Sequence, residues 1–169
     1  METFEAIFTR RSIRKFTSEN LTPNEVRLLL RAAMYAPSAN NRQPWHYCII
    51  NSRELLNKIP DIHPYSKSLY EAPMAILVCG DEELSNHQEY WIQDCSAATQ
   101  NILIAARALA LGTVWLGIHP REKRKMAIRE LLNIPTHIHP LSLIAVGHPN
   151  ESRTVNERYD PDRIHYNEW

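Results

Sequence analysis

The sequence predicts an α+β sandwich, one sheet surrounded by helices. Three observations carry that expectation. Periodic segments follow the order α, α, β, α, β, α, β, α, β, and none of the junctions carries the glycine turn of a βαβ nucleotide-binding unit. Only four glycines occur, Gly80, Gly112, Gly117 and Gly147, no two within four positions of each other, where average usage of roughly 7% would give about 12. At 169 residues, 44% hydrophobic and 22% charged, the chain has the size and composition of one packed domain, residues 1–169.

Each element has its own cause. Phe4, Ile7 and Phe8 recur at helical spacing within Glu2–Arg10. Thr22-Pro23-Asn24-Glu25 is a helix start, with Thr as N-cap, Pro at the first position and Glu three residues after the cap. Val26, Leu29, Leu30 and Ala33 form its apolar stripe, and the helix stops before Pro37. A polar loop, Ser38–Pro44, leads to a strand, Trp45–Ile50. A short helix over Glu54–Ile59 and an irregular stretch, His63–Glu71, precede a buried strand over Met74–Cys79. The longest periodic run, Asn86 to Leu111, is a helix expected to close on Gly112 as its left-handed residue. Its second half is apolar almost all round, which makes it a central helix. Thr113–Leu116 reads as a strand, Pro120–Leu132 as a charged-faced helix and Leu141–Val146 as the last core strand. From His148 the composition turns polar, and residues 149–169 form an extended arm unable to stabilise itself.

Composition excludes several function classes. Nineteen Lys+Arg balance 19 Asp+Glu, so the long-range field of a nucleic-acid or acidic-membrane binder is missing. The isolated glycines cannot spell G-x-G-x-x-G, G-x-x-x-x-G-K-[ST] or G-x-S-x-G. No basic and apolar leader follows Met1, and no stretch approaches the ~18 apolar residues of a membrane span. A cytoplasmic protein is expected, with Cys48, Cys79 and Cys95 as buried thiols.

Two constellations carry chemistry. Arg10, Arg11, Ser12, Arg14 and Lys15 place four cations and a hydroxyl at a helix-to-strand junction. In an extended segment Arg10, Ser12 and Arg14 share a face, which suits a phosphate and a second electron-rich edge. A solvated basic patch is the plainer alternative. In the loop Pro37–Trp45, the amides of Asn40, Asn41 and Gln43 each offer a donor and an acceptor, as a heterocycle edge demands. A turn rich in Asn for its left-handed tolerance explains the same residues.

Together, in order, these motifs resemble the FMN-dependent nitroreductase family. The match runs from Thr9-Arg10-Arg11-Ser12-Ile13-Arg14-Lys15-Phe16 through Ala36-Pro37-Ser38-Ala39-Asn40-Asn41-Arg42-Gln43-Pro44-Trp45, Glu71-Ala72-Pro73 and Ala110-Leu111-Gly112-Thr113-Val114-Trp115-Leu116-Gly117-Ile118. It continues in the strand and Gly-x-Pro pattern ending at Pro149, in Arg158-Tyr159-Asp160 and in Trp169. The resemblance implies a central, mostly antiparallel sheet and a homodimer whose C-terminal arms embrace the partner subunit. It implies FMN bound by Arg10, Ser12 and Arg14, with Arg11 a weaker member of that set. It also implies that Pro37, Ser38, Ala39, Asn41 and Gln43 reach across from the second subunit, with Leu116 and Gly117 over the ring. Arg158 corresponds to the phosphate position, with Arg153 and Arg163 as substitutes. The activity implied is ping-pong transfer from NADH or NADPH to a small electron-poor acceptor such as a nitroaromatic or quinone. No side chain acts as an evident acid or base.

Other signals are set aside at this level. His137 and His139 sit between Pro135 and Pro140 without a third ligand nearby in sequence, so an exposed loop and no metal are expected. Arg121, Lys123, Arg124 and Lys125 read as the solvated face of their helix. Two alternatives share the same motifs: flavin fragmentation or dehalogenation, which needs lid segments that His63–Glu71 and Asp81–Tyr90 lack, and a non-catalytic FMN-storage dimer.

Overall fold

The computed structural model describes residues 1–85 and 90–169. Helix α1 (Thr3–Thr9) runs into an extended segment, and α2 (Pro23–Met34) follows. The start signal of α2 works as expected. The Thr22 hydroxyl accepts the Glu25 N–H at 3.2 Å, and the Glu25 carboxylate accepts the Thr22 N–H at 2.7 Å. Then come β1 (Trp45–Ile50), α3 (Arg53–Ile62), β2 (Met74–Asp81), α4 (Tyr90–Ala108), β3 (Gly112–Gly117), α5 (Glu122–Leu132) and β4 (Ile138–Gly147). Short 3₁₀ turns occupy Ala39–Asn41, Lys67–Tyr70 and Pro161–Arg163.

The strands lie in the order β1-β2-β4-β3, and every neighbouring pair is antiparallel. β2 is buried along its whole length because helices cover both faces of the sheet. Ile76, Val78, Ile144 and Val146 pack with Leu29, Ala33, Ile102 and Ala106 of α2 and α4. The alternate residues Ala75, Leu77, Leu143 and Ala145 pack with Leu56 and Ile59 of α3 and Ile128 of α5. This is the α+β sandwich the sequence predicts. Among the described residues, no helix is long and apolar enough to cross a membrane.

Several boundaries differ from the expectation, each for a local reason. The proposed start of the long helix at Asn86 lies outside the described residues. Its end is not Gly112. The helix stops at Ala108, and Ala110 takes the left-handed conformation at φ 60°. Leu111 N–H bonds Ala106 O at 2.8 Å and Ala110 N–H bonds Arg107 O at 3.0 Å, a Schellman closure built on alanine. Gly112 instead opens β3, where a Cβ would stand 2.8 Å from Ile13 Cγ2 and 3.2 Å from Pro149 Cβ. Packing, not dihedral freedom, keeps that position small.

The last strand begins earlier than expected, at Ile138, so His139 belongs to a strand and not to an exposed loop. Its ring stacks on Trp91 at 5.4 Å, and its Nε2 meets the Glu82 carboxylate at 2.8 Å. Cys79 and Cys95 are buried, whereas Cys48 is half-buried. Burial pushes all three thiols upward, Cys79 to about 12.

The exposed Ala110 carries a backbone conformation that disfavours any Cβ. Ala110→Gly is expected to stabilise the fold by about 0.5–1 kcal/mol. For a chain of this size thermal unfolding should then shift upward by about 2–4 °C per kcal/mol. An unchanged or lower midpoint would remove alanine strain as the explanation.

Candidate functional site

The extended segment after α1 is held against the free edge of β3. Ile13 N–H donates to Thr113 O at 2.9 Å, and Ser12 forms a parallel bridge with Thr113. Glu151, at the root of the arm, accepts the backbone N–H groups of Arg14 (2.6 Å) and Lys15 (3.3 Å) and pairs with Arg153 at 2.6 Å. Glu71 accepts the Phe16 N–H at 3.1 Å. The Arg53 guanidinium in turn binds the carbonyls of Leu69 (2.6 Å), Tyr70 (3.1 Å) and Ala72, which fixes the turn bearing Glu71.

Two grooves flank this segment and share Glu151 and Arg153 as a common wall. The larger, about 680 Å³, has Arg14, Leu116 and Gly117 in its walls together with Lys67, Tyr65 and Arg124. The smaller, about 180 Å³, is lined by Arg10, Arg11, Arg107 and Thr113. Arg10 and Arg14 therefore stand on successive sections of one trough.

The cations differ in how far they are already engaged. Arg11 donates to Phe8 O at 2.9 Å, Arg10 O at 2.7 Å, Thr154 O at 3.1 Å and Asn156 O at 3.4 Å, so its fork ties the arm to α1. Arg163 pairs with Asp160 at 2.8 Å. Arg10 and Arg158, by contrast, form no ion pair among the described residues. Burial, then Arg158, then Arg11 lower the affinity of the Arg10 guanidinium for its proton. The nearby carboxylate, Glu151, is already paired with Arg153, so the crowded like charges of Arg10 and Arg158 favour an anion.

Gly117 adds a second observation. At the other three glycines an added Cβ would meet a neighbour within 3.0 Å, but at Gly117 the nearest atom is His119 O at 3.9 Å. Among the described residues nothing requires a glycine there, yet its open side belongs to the larger groove. Its carbonyl is locked by two donors, His63 Nε2 at 3.0 Å and Arg124 Nη1 at 3.1 Å. Since Gly117 O can only accept, His63 carries its proton on Nε2, and Nδ1 accepts the Tyr65 N–H at 3.3 Å. The ring is a buried neutral strut.

The loop residues lie elsewhere. The Ala39–Asn41 turn packs beside α4, and Pro37, Ser38, Ala39, Asn41 and Gln43 line neither groove of their own chain. The loop is strained and pinned. Asn40, Asn41 and Gln43 have φ of 51°, 55° and 51°. Ser38 Oγ accepts the Gln43 N–H at 2.9 Å, Asn41 Oδ1 accepts Gln43 Nε2 at 2.8 Å, and buried Asp94 accepts the Ala39 N–H at 3.0 Å. Burial pushes the Asp94 carboxyl upward, and that hydrogen bond opposes the shift. Strain of this kind concentrates at functional loops.

Sequence reasoning missed His63, Tyr65, Lys67 and Arg124. The first three sit where no periodicity marks them. Helical pattern puts Arg124 on a solvated face, but it turns inward to Gly117 and lies over the Tyr65 ring at 5.8 Å. Lys125, assigned to the same face, is buried and paired with Glu122 at 2.9 Å.

A two-faced antiparallel sheet with a cation-walled trough along its edge strand defines a small α+β protein built to hold an anionic ligand. The Nitroreductase family model matches residues 7–63 and 62–148, and the chain belongs to that family. A protein of Methanothermobacter thermautotrophicus, provisionally named NADH dehydrogenase/NAD(P)H nitroreductase, is 46% identical over 169 residues, covering 100% of this chain and 88% of the relative. A crystal structure of a similarly named protein from Parabacteroides distasonis superposes with a TM-score of 0.95 at 38% identity, covering 99% of this chain and 98% of that one. A Desulfovibrio desulfuricans protein, provisionally named a nitroreductase and solved in complex with FMN, matches with a TM-score of 0.86 at 30% identity, covering 100% and 98%.

The neutral strut makes a pH prediction. Burial and Arg124 hold His63 below the ordinary histidine range, and burial and Lys125 do the same for His119. The unfolded chain then binds protons that the folded chain refuses, so stability is flat above that range and falls as pH drops through it. His63→Gln should flatten the fall in unfolding midpoint between neutral and mildly acidic pH. An unchanged slope would contradict the neutral assignment.

Proposed function

We propose that the chain is an NAD(P)H-dependent FMN oxidoreductase, acting as a homodimer that reduces nitroaromatics, quinones or similar small acceptors. The observation that carries this reading is the pairing of a cation site with no ion pair of its own among the described residues, Arg10 with Arg158, with a groove wall whose glycine has no close neighbour there. A mononucleotide brings the two matching features, a dianionic phosphate and a flat ring that needs close backbone approach.

When bound, FMN supplies a hydride-accepting N5 and an N1/O2 edge on which negative charge collects. Arg10, Ser12 and Arg158 would hold the phosphate and ribityl chain, with Arg11 keeping the arm in place through its carbonyl contacts. Arg14 would stand by the N1/O2 edge, where a cation raises the reduction potential. Leu116 and Gly117 would meet the ring, with the Gly117 carbonyl immobilised by His63 and Arg124. Pro37, Ser38, Ala39, Asn41 and Gln43 would complete the site from the partner subunit, since they line neither groove of their own chain. Donor and acceptor would use the same open side in turn, which gives ping-pong kinetics, with protons drawn from water.

Dimerisation is supported by apolar surface that a lone chain leaves uncovered. Phe4 and Phe8 stack at 5.7 Å on the outside of α1, and Trp169 at the end of the arm is fully exposed. The arm contributes only a short 3₁₀ turn and no strand of its own.

The deciding experiment is the absorbance spectrum of the purified protein, followed by anaerobic titration with NADH and with NADPH. A flavin spectrum bleached by either nucleotide and restored by a nitroarene or quinone is expected. A flavin-bearing dimer that neither nucleotide reduces would overturn the enzymatic reading, and failure to take up FMN would overturn the cofactor as well. Arg10→Ala and Arg14→Ala should each weaken FMN retention by about 10–100-fold, the range of a lost charged hydrogen bond. Arg14→Ala should also lower the flavin potential. Gly117→Val should lose FMN while leaving the unfolding midpoint of the FMN-free protein unchanged.

A further inference from the structure

Three strand ends meet at the corner of the sheet where β1 begins, β2 stops and β4 starts. Backbone bonds tie them together. Asp81 N–H donates to Pro44 O at 2.7 Å, Glu82 N–H donates to His137 O at 3.2 Å, and Asp81 faces Ile138 in the β2–β4 ladder. On this frame, one ligand atom each from Asp81, Glu83 and His137 lies within 4.8 Å of the other two.

The three side chains are held to different degrees. Asp81 is buried, and its Oδ1 accepts the N–H groups of Glu83 (2.9 Å) and Leu84 (3.4 Å), so the turn carrying Glu83 is folded around that carboxylate. His46, the second residue of β1, approaches Asp81 Oδ2 with its Nε2 at 3.3 Å. Glu83 is exposed and free to rotate inward, and His137 is half-buried. Among the described residues neither carboxylate is ion-paired to a lysine or arginine. Two acidic groups close together, one of them buried, therefore face each other without a strong cation between them.

We propose that Asp81, Glu83 and His137 form a binding site for a divalent transition-metal ion of the zinc class, with His46 orienting Asp81. Metal–ligand bonds of about 2.0–2.2 Å place ligand atoms closer together than 4.8 Å, a contraction that the exposed Glu83 side chain supplies. A single imidazole among carboxylates selects against magnesium and calcium, which prefer all-oxygen shells. Three protein ligands leave a coordination position open, and beside it lies a cavity of about 360 Å³ bounded by His46, Cys48, Cys79 and Ile134. The site shares no residue with the proposed flavin groove, so it stands or falls independently of the redox reading. Its role is a clamp on three strand ends. The sequence concealed it because His137 has no partner nearby in the chain, and Asp81 and Glu83 join it only through strand pairing.

The test is calorimetric titration of zinc chloride into the chelator-treated protein, with any flavin it carries left bound. Cobalt(II) serves as a spectroscopic stand-in. One ion per chain is expected, with a higher unfolding midpoint and d–d absorption from a low-coordinate nitrogen–oxygen site. His137→Ala and Glu83→Gln should each weaken binding by at least about tenfold, and His46→Ala should weaken it less. Flavin content and metal-free unfolding midpoint should not change in the His137 and Glu83 variants. Absence of saturable binding, equal affinity for magnesium, or unchanged zinc affinity in both variants would overturn the proposal. If a variant fails to fold, the cobalt spectrum of the unaltered protein decides: purely octahedral, aquo-like absorption rejects the site.

Discussion

The free edge of β3 is the constraint on which the site depends. An edge strand presents unpaired N–H and C=O groups that must be covered or hydrated. Here the segment after α1 covers them. Ile13 bonds Thr113, Thr17 N–H bonds His148 O at 2.9 Å, and Asn150 N–H bonds Lys15 O at 2.9 Å, so the segment and the root of the arm are drawn onto the same edge. Gly112 makes this possible, since any Cβ would push Ile13 and Pro149 away. The arginines are consequently aimed by a backbone ladder. That ladder rests in turn on β4, whose burial between two helical layers makes it a rigid base.

What could be read from the sequence was whatever has a short-range cause. The capping box at Thr22, the apolar run of β2 and the helical stripes each follow from residues within one or two turns of one another. The arginine segment and the amide loop were readable as candidate contacts through their order and their resemblance to family motifs, since residue type alone is met equally by a basic patch and an Asn-rich turn. What escaped depends on tertiary contact. Gly112 looked like a helix terminator by spacing, but Ala110 takes that conformation because its exposed position tolerates the strain while Gly112 is needed beneath Ile13. Arg124 looked solvated because the helical pattern only reports which face is apolar. A long side chain can leave its face and reach the Gly117 carbonyl. His63 gave no periodic cue at all, and its importance comes from a carbonyl 54 residues away.

Charge neutrality and a cationic trough are compatible because the structure sorts its cations. Arg153 and Arg163 are paired with acids of the arm, and Arg11, Arg53 and Arg124 are spent on carbonyl groups. Arg10, Arg14 and Arg158 are left without acidic partners among the described residues. Such an arrangement produces a strong local potential without the broad field that would attract polyanions indiscriminately.

The burial of the cysteines has a consequence for durability. Oxidants attack thiolates far faster than thiols. With Cys79 shifted up to about 12 and Cys48 and Cys95 also raised, each sulfur stays protonated at neutral pH, and two of the three are sealed from solvent. The cysteines are thereby kept as packing residues whose thiols resist both oxidation and exchange, and the exposed Met34 and Met126 are left among the sulfur atoms that an oxidant reaches first.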